Sequence, residues 1–336
     1  MNSELRQDLV SGDWILIAPK RQARPNQFIK KEKRIKAPKG SCPFEDPQKS
    51  GHGEPALTYP KQGNWQLQIV KNKYPALSPK NYCPKILKNG PYSIIEGRGY
   101  HELLITRDHE KNFPRLGAGQ ANMVFRAFRN RYRMLASDRC ISYVSIFHNW
   151  GPKAGGSVYH PHYQIIGTPV IPPDVHRSLA GSERYFSKYK KCVHCVMINW
   201  ERKHKKRIVY ENENAAVFAP FVSREPFELR IFPKKHLPYF EDSSESDLSG
   251  AADALQKALS KIQKKLPDPD YNFFIHTAPA AGKNRYDHYH WHIEILPKLS
   301  VSAGFELGTG IEITGVDPDE AAEILRNTKK IRKYEK

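Results

Sequence analysis

The stretch Gly155-Gly156-Ser157-Val158-Tyr159-His160-Pro161-His162-Tyr163-Gln164-Ile165-Ile166 places two histidines and a glutamine at alternate positions after a glycine-rich turn. Alternate side chains of an extended segment share a face, so His160, His162 and Gln164 are expected on one side of a strand. An imidazole presented there, beside the backbone N–H groups of the turn, can attack a phosphate. A wet strand face without chemistry accounts for a single His-x-His equally well, so the rest of the chain has to decide.

The rest of the chain repeats the pattern. Each half runs through a short Cys-containing knuckle, strands, a basic loop ending in His, a long amphipathic helix, a strand and a histidine-alternating strand. The helices are expected over 120–136 and 246–266, where apolar residues recur at helical intervals. Strands are expected over 14–18, 65–70, 100–106, 141–147, 209–220, 227–232 and 271–276. Residues 160–169 align without a gap on 288–297, which pairs His160 with His288 and His162 with His290. The interval from His109 to His160 is 51 residues and that from His236 to His288 is 52. Such self-similarity implies two tandem halves, residues 1–172 and 173–336.

The repeat assembles two sets of four ligands. Cys192, Cys195, His236 and His288 would supply two thiolates and two imidazoles, a closed tetrahedral zinc site. Cys42, Glu45, His109 and His160 are the equivalents in the first half, with a carboxylate in place of the second thiolate and hence a harder site. Reduced cysteines and surface histidines are the bland reading of both sets. A metal on His160 would leave His162, two residues on, as the free nucleophile.

Composition narrows the class. A chain of 336 residues can bury a substantial core. It has no run of eighteen apolar residues, and its first ten are too polar for a secretory signal, so a soluble cytoplasmic protein without membrane contact is expected. Five unevenly spaced cysteines argue against a disulfide framework and leave room for metal ligation. The net charge of +19, 54 Lys+Arg less 35 Asp+Glu, favours anionic partners. The excess lies at 20–39, 188–207 and 329–336 without a nucleic-acid recognition module, so phosphorylated metabolites are expected rather than nucleic acid.

Together these residues resemble the galactose-1-phosphate uridylyltransferase family, the transferase branch of the histidine triad superfamily. The resemblance runs through Trp14-Ile-Leu-Ile-Ala-Pro, Arg21-x-x-Arg24-Pro, Cys42-Pro-Phe, Asn72-Lys-Tyr-Pro-Ala-Leu, Asp108-His109, Asn149-x-Gly151, Ser157 and His160-Pro-His-x-Gln164. In the second half it continues through Phe227-Glu-Leu, Pro233-Lys-Lys-His236 and Ala303-Gly-Phe-Glu-Leu-Gly-Thr-Gly310. It implies an α+β fold of two histidine-triad-like halves sharing one continuous, mostly antiparallel sheet flanked by helices, commonly as a homodimer. It also implies that the middle His of the motif, His162, forms a covalent nucleotidyl-histidine from a sugar nucleotide, releasing sugar 1-phosphate. By the same resemblance Gln164 donates a hydrogen bond to the transferring phosphoryl group. Arg21, Arg24, Asn149, Gly151 and Ser157 match phosphate-holding positions, Asn72 a nucleoside contact, and Phe305 and Glu306 the sugar-binding segment.

The expected reaction is therefore transfer of UMP between UDP-glucose and galactose 1-phosphate. Lys73 and Tyr74 stand where the family often has Asp and Phe, and the second-half CxxC with the GFELGTG segment also resembles ADP-glucose phosphorylase. Adenylyl transfer to phosphate from ADP-glucose or a dinucleoside polyphosphate is the alternative. A non-catalytic nucleotide- or nucleic-acid-binding protein is the third reading. Some relatives hold iron in the second half through a Glu and three His, a set that Glu183, His276 and His292 could echo. Glu294 stands where one of those histidines would be, so the CxxC set is the favoured second-half site.

Overall fold

A computed structural model describes residues 2–23, 34, 36–266 and 268–327. Its centre is a ten-stranded antiparallel sheet to which both halves contribute. The N-terminal chain first forms a hairpin, β1 (Glu4–Gln7) and β2 (Trp14–Ile17). It then supplies β3 (Leu57–Tyr59) and β4 (Leu67–Lys71), a small separate hairpin of β5 (Leu87–Asn89) and β6 (Tyr92–Ile94), β7 (Tyr100–Thr106) and helix α1 (Ala118–Ala136). Strands β8 (Tyr143–Trp150) and β9 (His162–Thr168) close the first half.

The second half opens with helices α2 (Pro173–Tyr189) and α3 (Val193–His204). Strands β10 (Ile208–Glu211), β11 (Ala215–Phe218) and β12 (Leu229–Pro233) precede helix α4 (Glu245–Lys265), followed by β13 (Tyr271–His276) and β14 (His292–Pro297). Short elements α5 (Gly304–Thr309), β15 (Ile313–Thr314) and α6 (Pro318–Arg326) end the described chain. The sheet order is β10-β11-β12-β14-β13-β8-β9-β7-β4-β3. The halves meet where β8 pairs with β13, Phe147 opposite Phe274 and Asn149 opposite Asn272. They also interlock across the 172/173 division, because β15 pairs with β2.

The period-2 pattern of the strands determines which side of the sheet becomes core. Leu67, Ile69, Leu104, Ile146, Tyr163, Ile165, Phe273 and Ile293 point to one face and are covered by α1 and α4. On α1 the buried stripe is Val124, Phe125, Ala127, Phe128, Tyr132 and Leu135, and on α4 it is Leu248, Ala251, Leu255, Ala258, Leu259 and Ile262. Each large side chain removed from water there contributes about 1.5–3 kcal/mol. Helix α4 is started by a capping box in which Ser244 Oγ accepts the Asp247 N–H and Asp247 returns the bond to the Ser244 N–H.

Glu102 on β7 receives a two-pronged ion pair from Arg131 of α1, with Nε 2.6 Å from Oε2. Arg131→Ala is expected to cost about 3–5 kcal/mol, since it leaves a buried carboxylate uncompensated. The midpoint of urea unfolding measures it.

Three expectations are corrected. Residues 209–220 form two strands, because Asn212 Oδ1 accepts the N–H groups of Asn214 and Ala215 and turns the chain between them. The last histidine-alternating strand begins at His292, with 288–291 in the turn before it. Cys83 and Cys140 are joined by a disulfide across 57 residues. That spacing carries no signal, and the turn between α1 and β8 is what brings the two together. Cys42, Cys192 and Cys195 remain free.

Candidate active site and metal centres

The sheet face opposite α1 and α4 carries the chemistry. β9 begins at His162 and places it opposite Ile105 of β7, with Gln164 opposite Leu103 on one side and Phe147 of β8 on the other. Phe44 packs over this face with Val70, Leu103 and Ile105, its ring centroid 4.9 Å from that of His162. His162 Nδ1 lies 3.0 Å from the carbonyl oxygen of His160. A carbonyl only accepts, so Nδ1 carries the proton and Nε2 keeps its lone pair. Burial pushes the His162 pKa below its ordinary value, and the nearby His52 adds to the effect. The ring is therefore a neutral imidazole with a free nucleophilic nitrogen.

The backbone of His162 is held from β8. His148 Nδ1–H donates to the carbonyl of His162 at 2.7 Å, and the ring is buried among Trp150, Tyr163, Tyr271 and Phe273, which pushes its pKa down to about 3.

The turn leading to β9 is anchored to β13. Asn272 Nδ2 donates to Asn149 Oδ1 and to the carbonyl of Ala154, both at 2.8 Å, and Lys153 N–H donates to Asp270. Gly151 has φ +88°, and a Cβ there would lie 2.1 Å from Asp270 Oδ1, so only glycine fits. Asn149, Gly151 and Ser157 thus belong to one strand end and turn beside His162. Asn72 follows β4, next to Gln164's neighbour His101.

The other expected substrate residues lie elsewhere. Arg21 sits in the short turn after β2, Phe305 and Glu306 lie on α5 beside β15, and no described contact joins any of them to β9. Arg24 lies outside the described residues.

Both ligand groups form, one with a different histidine. Ligand atoms of Cys42, Glu45, His109 and His160 lie within 4.8 Å of one another, as do those of Cys192, Cys195, His236 and His290. His288 is not in the second group. It falls in the turn before β14, its ring beside Phe186 and Tyr286. The structural repeat pairs His160 with His290, His162 with His292 and Gln164 with Glu294, two residues on from the ungapped alignment. The turn between β13 and β14 carries extra residues, so the interval from His236 to the histidine in the group is 54.

The donor chemistry suits a cation. His109 Nε2 bonds the carbonyl of Ala37, His160 Nε2 that of Thr106 and His236 Nε2 that of Asp287, at 2.7–2.9 Å. Each ring is so held by Nε2 on a carbonyl with Nδ1 turned inward, the arrangement that would offer a neutral ring's lone pair to a cation. Cys195 Sγ lies 3.3 Å from His236 Nδ1 and 3.5 Å from His290 Nδ1. The Cys192 thiol is pushed below its ordinary range, first by a hydrogen bond from Cys195.

His276, His292 and Glu294 form a third group, from which Glu183, exposed on α2, is absent. The Glu294 carboxylate is already met by Arg230, 3.2 Å away, and by Arg224. These residues do not fit a metal, because two guanidinium groups occupy the positive role. Burial keeps His276 and His292 neutral, with pKa values lowered to about 4.

Residues 1–172 match the family described as galactose-1-phosphate uridyl transferase, N-terminal domain. The chain belongs to the galactose-1-phosphate uridylyltransferase family. Residues 121–336 also match a domain family of unknown function, DUF4921. The chain is similar to an ADP-glucose phosphorylase of Arabidopsis thaliana, 34% identical over 331 residues, covering 96% of this chain and 92% of the relative. A galactose-1-phosphate uridylyltransferase of Thermotoga maritima is 28% identical, covering 97% and 98%. The crystal structure of the Arabidopsis ADP-glucose phosphorylase with bound ADP-glucose superposes with a TM-score of 0.84 at 30% identity, covering 98% of this chain and all of that one. This member of the uridylyltransferase family accordingly has the α+β fold of its relatives. Among the described residues no helix is long and apolar enough to cross a membrane.

Three residues near His162 and Gln164 carry no role in the sequence reading: His52, His101 and His148. The pairing of β7 with β9, and of β8 with β9, brings two of them in, and cross-strand register has no local signature.

Proposed function

We propose that the protein transfers a nucleotidyl group from a nucleoside-diphosphate sugar through a covalent intermediate on His162. The observation that carries this is the hydrogen bond from His162 Nδ1–H to the His160 carbonyl, which leaves Nε2 unprotonated at the start of β9. Nε2 attacks the α-phosphorus, the bond from phosphorus to the bridging oxygen breaks, and sugar 1-phosphate leaves with that electron pair. The N–P bond is then broken by an incoming phosphate oxygen, which restores the neutral ring. Gln164 donates from its amide to a non-bridging oxygen as charge builds there. Asn149, Gly151 and Ser157 hold the phosphates.

Adenylyl transfer from ADP-glucose to phosphate is the preferred form. The support is the 34% identity and high structural similarity to the Arabidopsis ADP-glucose phosphorylase, against 28% to the Thermotoga uridylyltransferase. Uridylyl transfer between UDP-glucose and galactose 1-phosphate is the second reading, favoured by the match of 1–172. Incubation with ADP-glucose or UDP-glucose labelled at the α-phosphate decides between them. Acid-labile, base-stable label on the protein is expected from ADP-glucose, and label from neither compound sinks the covalent mechanism.

Zinc is the proposed metal of both four-ligand groups, where it ties the knuckles to the strand ends and leaves the chemistry to His162. A cytoplasmic homodimer is the proposed assembly, in line with the family resemblance.

The labelling step should be insensitive to pH through the usual histidine range. Only neutral His162 attacks, and its pKa is lowered by burial, so the reactive form persists below pH 6.5 and is lost only at more acid pH. Single-turnover labelling across pH 4.5–8 checks this, and an acid limb centred at or above about pH 6.5 would contradict it.

A further inference from the structure

We infer that His101 is a positioning residue that sets which end of the Gln164 amide faces the transferring phosphoryl group. The inference rests on the reading of Gln164 as a donor to that group. The two ends of a glutamine amide are nearly isosteric, yet one donates and the other accepts. A carbonyl end turned to an anionic phosphoryl oxygen would repel it, so the catalytic use of Gln164 needs something to break this symmetry.

His101 supplies it through a chain of bonds with one consistent direction. The backbone N–H of Ala76 donates to His101 Nδ1 at 3.1 Å. A backbone N–H has no other role, so Nδ1 is the acceptor and the ring proton of neutral His101 is on Nε2. That N–H lies 2.9 Å from Gln164 Oε1 and donates to it. The carbonyl end of Gln164 is thereby engaged by β7, and its NH2 end is left for the ligand side of the strand face that it shares with His162. Asn72 closes the arrangement: its N–H donates to the His101 carbonyl at 2.9 Å, and its Oδ1 accepts the Tyr74 N–H. Its amino group lies 3.0 Å from His101 Nε2, and with that nitrogen protonated the two meet donor to donor and make no bond, so the direction rests on Ala76 and Gln164 alone. The 72–76 loop, through Ala76, thus determines the tautomer of His101, and His101 orients Gln164. What binds at that loop is felt at the phosphoryl donor two links away.

A double-mutant cycle tests this. The rate of nucleotidyl-His162 formation is measured in single turnovers with whichever labelled sugar nucleotide reacts, for His101→Leu, Gln164→Ala and the pair. His101→Leu is expected to slow the step about 10- to 100-fold, within what loss of one such donor costs, while sugar-nucleotide affinity stays near that of the native protein. In the Gln164→Ala background His101→Leu should slow it no further, because it acts only through Gln164. His101→Gln, which keeps an N–H donor, should recover part of the rate. Where the leucine variant does not fold, His101→Ala completes the same cycle. Fully additive losses, or a native rate in His101→Leu, would overturn the inference while leaving Gln164 in place. A native rate in Gln164→Ala would instead remove the parent assignment.

Discussion

His162→Asn is expected to abolish covalent labelling and to lower turnover on the order of 10^4-fold or more, the loss that follows removal of a nucleophile. Asparagine preserves the size and much of the polarity of the ring but has no nitrogen lone pair. The side chain lies at the start of β9 under Phe44, in a strand held on both sides by β7 and β8, so the fold should tolerate the change. His160→Asn makes the comparison informative. It removes a member of the first four-ligand group and should lower stability and metal content, with labelling lost only in proportion to unfolded protein. Mass spectrometry of the trapped intermediate on intact chain reads the first effect, and calorimetry the second. A His162→Asn variant that still accumulates label would place the nucleophile elsewhere.

Cys195→Ser is expected to produce the largest loss of stability. Cys195 joins the N-terminal turn of α3 to His236, at the end of the β12 segment, and to His290, just before β14. With a metal bound, binding energy at such a group is folding energy, and losing a thiolate ligand should lower the melting temperature by at least about 10 °C. Elemental analysis should fall from two metal ions per chain to one. Cys42→Ser should show the same change in metal content with a smaller change in melting temperature, since its group already contains a carboxylate. His288→Ala is the control, as His288 lies outside the group, and its metal content should stay at two. If His288→Ala loses metal and His290→Ala does not, the ligand set assigned from the geometry is wrong.

The parts of the site that were legible in the sequence share a local origin. The Gly155-to-Ile166 stretch shows its glycine-rich approach, its paired histidines and its glutamine in a window of twelve residues. The CxxC and the Cys42–Glu45 pair each lie within one turn. The helices of α1 and α4 are visible because a 3.6-residue period survives over five turns. Strand 271–276 is likewise visible in its alternation, and strand 100–106 in its run Leu103-Leu104-Ile105.

What was misread depends on lengths that local pattern does not constrain. An ungapped alignment chose His288 because Pro169 and Pro297 then coincide, but the turn after β13 is longer than its first-half counterpart, and the strand register moved the ligand to His290. The same shift replaces a matched pair of His-x-His strands with a telling difference: Glu294, not a second glutamine residue, faces the second half's histidine, and Arg224 and Arg230 have filled that face with ion pairs.

By itself, then, the sequence determined the repeated pattern, the two knuckles and the placing of His162 and Gln164 at alternate positions of one strand, because each is written in spacings shorter than a strand or a helix. Tertiary structure alone decided which histidine completes the second group, that Cys83 and Cys140 are joined, and that His101 and His148 attend the nucleophile strand. Those contacts are made across strands and turns from residues far apart in the chain, where register and loop length, rather than residue type, decide who meets whom.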